Sequence, residues 1–147
     1  MAMRGPHPLL LLPLVLLVAC LALASGQPCV MQNRLFIMHH VNYPRTPVPN
    51  PTAYCNIMMM RRGIYGKLIN TFIHASIPSI SNVCFWGETL FPSGLRWSNH
   101  LFAITTCIYN ASTHSYTGTY LSSRILIRCC QGGPVYYEER ILLPPRI

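Results

Sequence analysis

The sequence predicts an α+β fold: a small, disulfide-stapled domain with helices first and strands later. Three observations carry this expectation. Helical apolar spacing is confined to the first half of the domain. Runs rich in Thr, Tyr, Phe and Ile dominate the second half. Of seven cysteines, one falls in an N-terminal leader and an even number remains for bridging.

Arg4 supplies a positive start, Leu9 to Ala24 is apolar apart from Pro13, and small residues follow at Ala22, Ala24, Ser25 and Gly26. This is the pattern of a cleaved signal peptide, and it is short for a bilayer span. Residues 1–26 are assigned to the leader, with cleavage before Gln27, and residues 27–147 to one secreted, extracellular domain. Cys20 leaves with the leader. Cys29, Cys55, Cys84, Cys107, Cys129 and Cys130 stay, and six cysteines in an exported chain read as three disulfides with fifteen possible connectivities. Zinc is the competing use of such residues. The sequence has no Cys-x-x-Cys and no His-x-x-x-His pair at finger spacing, so no metal and no other cofactor is expected. Asn110-Ala111-Ser112 is a glycosylation sequon and predicts a surface position for Asn110.

The charge is lopsided. Eleven Lys and Arg stand against three acids, Glu88, Glu138 and Glu139. Loss of Arg4 leaves a net charge near +7. Lys67 is the only lysine. Arginine's planar fork matches phosphate in a bidentate manner, which points to RNA or another polyanion, such as a sulfated cell-surface glycan, as partner. Solubility alone is the bland reading of the same excess.

Residues 32–40 lack Pro and Gly and place Leu35, Phe36 and His39 or His40 at helical spacing, a short amphipathic helix. Pro44, Pro47, Pro49 and Pro51 make Tyr43 to Thr52 an extended loop. Tyr54 to Arg62 is a second helix, stopped by Gly63, with Met58, Met59 and Met60 as adaptable packing. Asn70 to His74 is β-like, Ile77 to Val83 is a third short helix, and Trp86 to Trp97 reads as loop. Leu101 to Tyr109 and Tyr120 to Cys129 read as strands with a turn at Ser115 to Gly118. Val135 to Tyr137 adds a last strand segment.

The order of motifs says more than any one of them. Phe36 and His40 sit four apart on one helical face. Tyr54-Cys55-Asn56 with Met58-Met59 follows, then Lys67 ahead of Asn70-Thr71-Phe72-Ile73-His74. Val83-Cys84, Thr106-Cys107, and Cys129 ahead of Gly133-Pro134-Val135 complete the series. This set resembles the pancreatic-type ribonuclease (ribonuclease A) superfamily over about Phe36 to Tyr137. The angiogenin-like branch is the most similar, through Met59 to Ile64 and Asn70 to His74.

The resemblance implies a V-shaped antiparallel sheet with three helices and a cleft that cuts RNA after pyrimidines. Such a reaction needs a base for the 2′-hydroxyl proton, an acid for the departing 5′-oxygen, and a cation beside the phosphate. By resemblance His40 is the base and Lys67 the cation, while Asn70 and Thr71 order the site and bind the pyrimidine. His39 reads as a surface helix residue. The second family histidine should follow Pro134-Val135, and Tyr136 stands there instead. Tyr137 takes a position the family gives to Phe or Leu, and Glu138 one it gives to Asp, so both are counted with the substrate-binding set. A tyrosine donates a hydrogen bond but shuttles protons poorly at neutral pH, so cleavage is expected to be weak or lost. Nothing in the spacing of His100 or His114 recommends them as replacement acids.

The resemblance also pairs Cys55 with Cys107 and Cys84 with Cys129. Gly66 and His114 occupy the two positions of the family's third core bridge, so both halves are missing together. Cys29 and Cys130 remain as a candidate replacement tying down the N-terminus. The loop before Lys67 is short relative to the family, which raises the expectation that Lys67 is displaced. The alternative reading is a cationic, monomeric host-defence or angiogenin-like signalling protein that acts by binding polyanions or anionic bacterial membranes.

Overall fold

A computed structural model describes residues 29–139; the assigned leader and residues 140–147 lie outside that range. Helix α1 covers residues 29–40. It is followed by α2 (Pro51–Arg61), β1 (Ile69–Ile73), α3 (Ile77–Ser81) and α4 (Val83–Trp86). Strands β2 (Glu88–Thr89), β3 (Arg96–Trp97), β4 (Phe102–Asn110), β5 (Ser115–Ser123), β6 (Leu126–Cys130) and β7 (Gly133–Tyr137) complete the order. The three helical regions are α1, α2 and the α3–α4 pair, which breaks at Asn82.

Two antiparallel sheets form the arms of the V: β1-β4-β5 and β2-β3-β6-β7. The chain passes from the first to the second at Arg124-Ile125, between β5 and β6. One core cluster joins Phe36 of α1 to Ile73, Ile80, Ile104, Ile125, Ile127 and Tyr137. A second packs Tyr54, Met58 and Met59 of α2 on Phe72, Cys107 and Tyr116. Met58 and Met59 are buried and Met60 is exposed, so the Met run is core packing along one side only.

Three disulfides staple these layers. Cys55–Cys107 joins α2 to β4, Cys84–Cys129 joins α4 to β6, and Cys29–Cys130 joins the start of α1 to the end of β6. Asn110 is exposed at the end of β4, where its side chain accepts from the Ser112 backbone N–H and hydroxyl.

Several boundaries differ from the sequence reading. Helix α2 starts three residues early because Pro51 sits in its first turn, where a missing N–H costs nothing. The Asn50 side chain caps it, accepting from Thr52 N at 2.8 Å and Ala53 N at 3.1 Å. Replacing that cap should cost about 1 kcal/mol, so Asn50→Ala is expected to lower the thermal midpoint by a few degrees in a calorimetric scan. Trp86 to Trp97 is not all loop: Glu88↔Trp97 and Thr89↔Arg96 pair as a two-residue ladder, too short for alternation to reveal. The β4–β5 turn falls at residues 111–114, not at Ser115 to Gly118. Gly118 lies inside β5 for another reason. A Cβ there would meet the Pro51 carbonyl oxygen and lie 2.8 Å from the Cys55 sulfur, so the glycine lets α2 approach the sheet.

Candidate active-site cleft

The last turn of α1 carries His40, and Val41 bridges Ile73 in parallel while Asn42 N donates to the Ile73 carbonyl at 3.1 Å. This stitches the helix end to β1, the strand holding Asn70 and Thr71. Asn70 is fully buried and acts as a clamp. Its amide donates to the His39 carbonyl at 2.8 Å, and its oxygen accepts from Lys67 Nζ at 2.8 Å.

His40 is buried, with Nδ1 2.8 Å from the Thr71 carbonyl. A carbonyl only accepts, so Nδ1 carries the hydrogen and Nε2 keeps a free lone pair, as a base requires. Burial, then the Lys67 charge, push the His40 pKa down to about 3, against the opposing Thr71 bond. The ring is therefore neutral at physiological pH. Its Nδ1 approach of 4.0 Å to Glu139 is then not an ion pair. Burial also lowers the Lys67 pKa, while the Glu139 carboxylate raises it.

Lys67 is held by hydrogen bonds where the family pattern has a disulfide. The Tyr65 hydroxyl donates to the His114 carbonyl at 2.6 Å. The Tyr116 hydroxyl donates to the Lys67 carbonyl at 2.8 Å and accepts from Gly66 N at 2.8 Å. Tyr65 packs edge-on against Tyr109 and Tyr116, which are tilted against each other, around this point. Despite its short loop, Lys67 faces the same cavity as His40.

That cavity holds about 550 Å³ and is lined by His39, His40, Lys67, Tyr136, Tyr137, Glu138 and Glu139, with Leu35, Phe36 and Leu68 among its apolar walls. Tyr136 is 41% exposed on β7. The Arg128 guanidinium, opposite it on β6, lies 5.0 Å over its ring, and its hydroxyl donates to Glu138 Oε2 at 3.5 Å. Tyr137 is buried and stacked on His40, with centroids 5.2 Å apart. Its ring packs against the His40 imidazole at the wall of this cavity. Glu138 is buried, and its N–H donates to the Leu126 carbonyl at 2.9 Å. His100 packs at a tilt against Phe102, and His114 lies in the β4–β5 turn beside Tyr109; neither lines this cavity.

Two features of the cleft were not visible in the sequence reading. Glu139 turns back so that Oε1 accepts from Thr71 N at 2.9 Å and Oε2 from the Thr71 hydroxyl at 2.7 Å. The one available signal was its rarity, since this is one of three acids in the chain and directly follows another. His39, read as a surface helix residue, is half-buried and shares the cavity with His40.

This fold and cleft agree with what similarity to known proteins reveals. The sequence model of the Pancreatic ribonuclease family matches residues 31–138. A ribonuclease of Chelydra serpentina is 41% identical over 113 residues, covering 72% of this chain and 95% of that protein. An angiogenin of Gallus gallus is 33% identical over 131 residues, covering 85% of this chain and 90% of that one. Among solved structures, green turtle egg white ribonuclease superposes with a TM-score of 0.68 at 39% identity, over 74% of this chain and 97% of its own. The chain belongs to the pancreatic ribonuclease superfamily.

Proposed function

We propose that this protein is a secreted, monomeric RNA-binding member of that superfamily, with weak pyrimidine-directed endoribonuclease activity. The observation that carries the reading is the grouping of His40, Lys67 and Tyr136 around one cavity, braced by Asn70 and Thr71. In this reading His40 Nε2 takes the 2′-hydroxyl proton and Lys67 stabilises the charge that builds on phosphate. Tyr136 stands where the acid belongs and contributes hydrogen bonding without efficient proton transfer. Asn70 positions Lys67, and Thr71 offers an N–H and a hydroxyl to a pyrimidine edge. Glu139 already occupies both groups, so a base must displace it. Secretion is supported by the leader, the three disulfides and the Asn110 sequon. Among the described residues no helix is long and apolar enough to cross a membrane.

The test is RNA binding and cleavage by purified protein beside His40→Ala. Binding is expected to weaken with salt, with a log–log slope near −0.7 per phosphate contacted on single strands. Cleavage is expected to be slow and to vanish in His40→Ala. Absence of both binding and cleavage would overturn the reading.

A second reading, host defence by attack on anionic bacterial membranes, is favoured by a separate observation. Phe85, Trp86 and Phe91 are 64%, 76% and 88% exposed in a chain of net charge +8. Aromatic side chains with arginines suit a lipid interface. Leakage of anionic vesicles that persists in His40→Ala would favour it.

A further inference from the structure

The cleft contains two imidazoles, although the position where the resemblance places the second one is a tyrosine. His39 precedes His40 at the end of α1 and lines the same cavity. The rings are 6.1 Å apart between centroids, at an interplanar angle of 76°. The two histidines are anchored differently. His40 is fixed by Thr71 through its ring. His39 is fixed through its backbone carbonyl by the Asn70 amide, and among the described residues its ring nitrogens make no hydrogen bond. Its imidazole is therefore half-exposed to the cavity with both nitrogens available, beside the Lys67 ammonium. Two rings at this separation can each reach a different oxygen of one phosphate through hydrogen bonds of about 2.8 Å.

We propose that His39 is the second proton-transfer group of this cleft, acting on the phosphate in place of the imidazole missing at Tyr136. The inference rests on the ribonuclease reading. His40 Nε2 takes the proton of the 2′-hydroxyl as the 2′-oxygen bonds to phosphorus. Protonated His39 gives its proton to a non-bridging phosphoryl oxygen, and that proton passes to the 5′-oxygen as the P–O5′ bond breaks. The products are a 2′,3′-cyclic phosphate and a free 5′-hydroxyl. His40 is left protonated and His39 neutral, and exchange with water resets both.

The same geometry sets a pH signature. His39 must be protonated to act, so its step fails as pH rises through its pKa. Burial first, and the Lys67 charge second, hold that pKa below the ordinary imidazole value. The other titratable groups around the cavity are His40 on α1 and Tyr136, Tyr137, Glu138 and Glu139 from the β7 side. His40 becomes an effective base above about 3. Turnover should therefore peak on the acid side of pH 6.5 rather than at neutrality.

The experiment measures RNA cleavage from pH 3.5 to 8 and RNA affinity by wild type, His39→Gln, Tyr136→His and the double variant. Wild type is expected to cleave slowly with a falling limb below neutrality. His39→Gln is expected to lose at least tenfold at the optimum, with that limb gone and RNA affinity within about twofold of wild type. In the Tyr136→His background, which restores an imidazole at the family position, the His39→Gln loss should shrink to under about threefold; a structural defect would persist there. Unchanged rate and pH profile in His39→Gln would overturn the inference. So would wild type that binds RNA but turns over at no pH, a result that leaves RNA binding itself standing. Absence of binding as well as turnover would instead remove the underlying reading.

Discussion

Tyr136→His is expected to raise RNA cleavage at neutral pH by about 10²-fold, the low end of what a positioned general acid contributes. The position is already suited to the role. Tyr136 lies on β7, next to the residue whose ring stacks on His40, and its side chain lines the cavity that Lys67 enters. An imidazole there would approach the phosphate from the β7 side, opposite the α1 end. Two neighbours would tune it. The Glu138 carboxylate, 3.5 Å from the present hydroxyl, favours the protonated ring. The Arg128 guanidinium, 5.0 Å over the present ring, disfavours it. Their opposition is why the low end of the range is expected, and Arg128→Ala in the same background should move the falling pH limb upward. A gain of less than threefold at every pH would mean that the Tyr136 position is not what limits the chemistry. The comparison needs wild type and variant at equal RNA saturation, so that kcat rather than affinity is read.

How far the sequence could foretell this site depends on how each residue is placed. His40, Lys67, Asn70 and Thr71 sit at fixed offsets from elements with strong local signals. Phe36 marks the buried face of α1 and the Asn70–Ile73 run marks β1, and the resemblance carried by their order along the chain grouped them. Tyr136 was legible because, by the resemblance, the residue after Pro134-Val135 is where the family places its second histidine. Glu139 and His39 were not legible, for different reasons. Glu139 reaches Thr71 across 68 positions through a turn after β7, and no local pattern encodes such a contact. His39 looked like a solvent-facing helix residue, because only the arrival of Lys67 over the helix end turns that face into a cavity wall. The lost bridge at Gly66 and His114 was readable as an absence. Its replacement by the Tyr65 and Tyr116 hydroxyls was not, since tyrosines carry no pairing rule in sequence. Gly118 shows the same limit. A glycine inside a strand looked like a turn, whereas its meaning is the closeness of α2.

Glu139→Ala is expected to tighten binding of a pyrimidine nucleotide, and to raise kcat/KM for RNA, by about tenfold near neutral pH. Oε1 and Oε2 accept from the Thr71 N–H and hydroxyl, two charge-assisted bonds that a pyrimidine edge bound at Thr71, as proposed, would have to displace. Bonds to a charged group are worth about 1.5–3 kcal/mol each in a buried setting. Most of that is returned when the freed carboxylate meets water, and a net release of about 1.4 kcal/mol corresponds to tenfold. The pH dependence follows from the carboxyl's own environment. Burial raises the Glu139 pKa above the ordinary carboxylate value, while the Thr71 bonds and the Lys67 charge oppose that shift and Glu138 adds to it. Because the folded pKa is the higher one, protonation favours the folded protein. This contribution is full below the unfolded pKa and fades as pH rises through the folded one. At mildly acidic pH the neutral carboxyl holds Thr71 less strongly, and wild type should approach the variant. The ratio of affinities should therefore be largest near pH 7 and shrink towards pH 4, measured by titration with cytidine monophosphate. Equal affinities at pH 7 would mean that Glu139 does not compete with the base, and a ratio constant across the range would exclude its ionised form as the competitor.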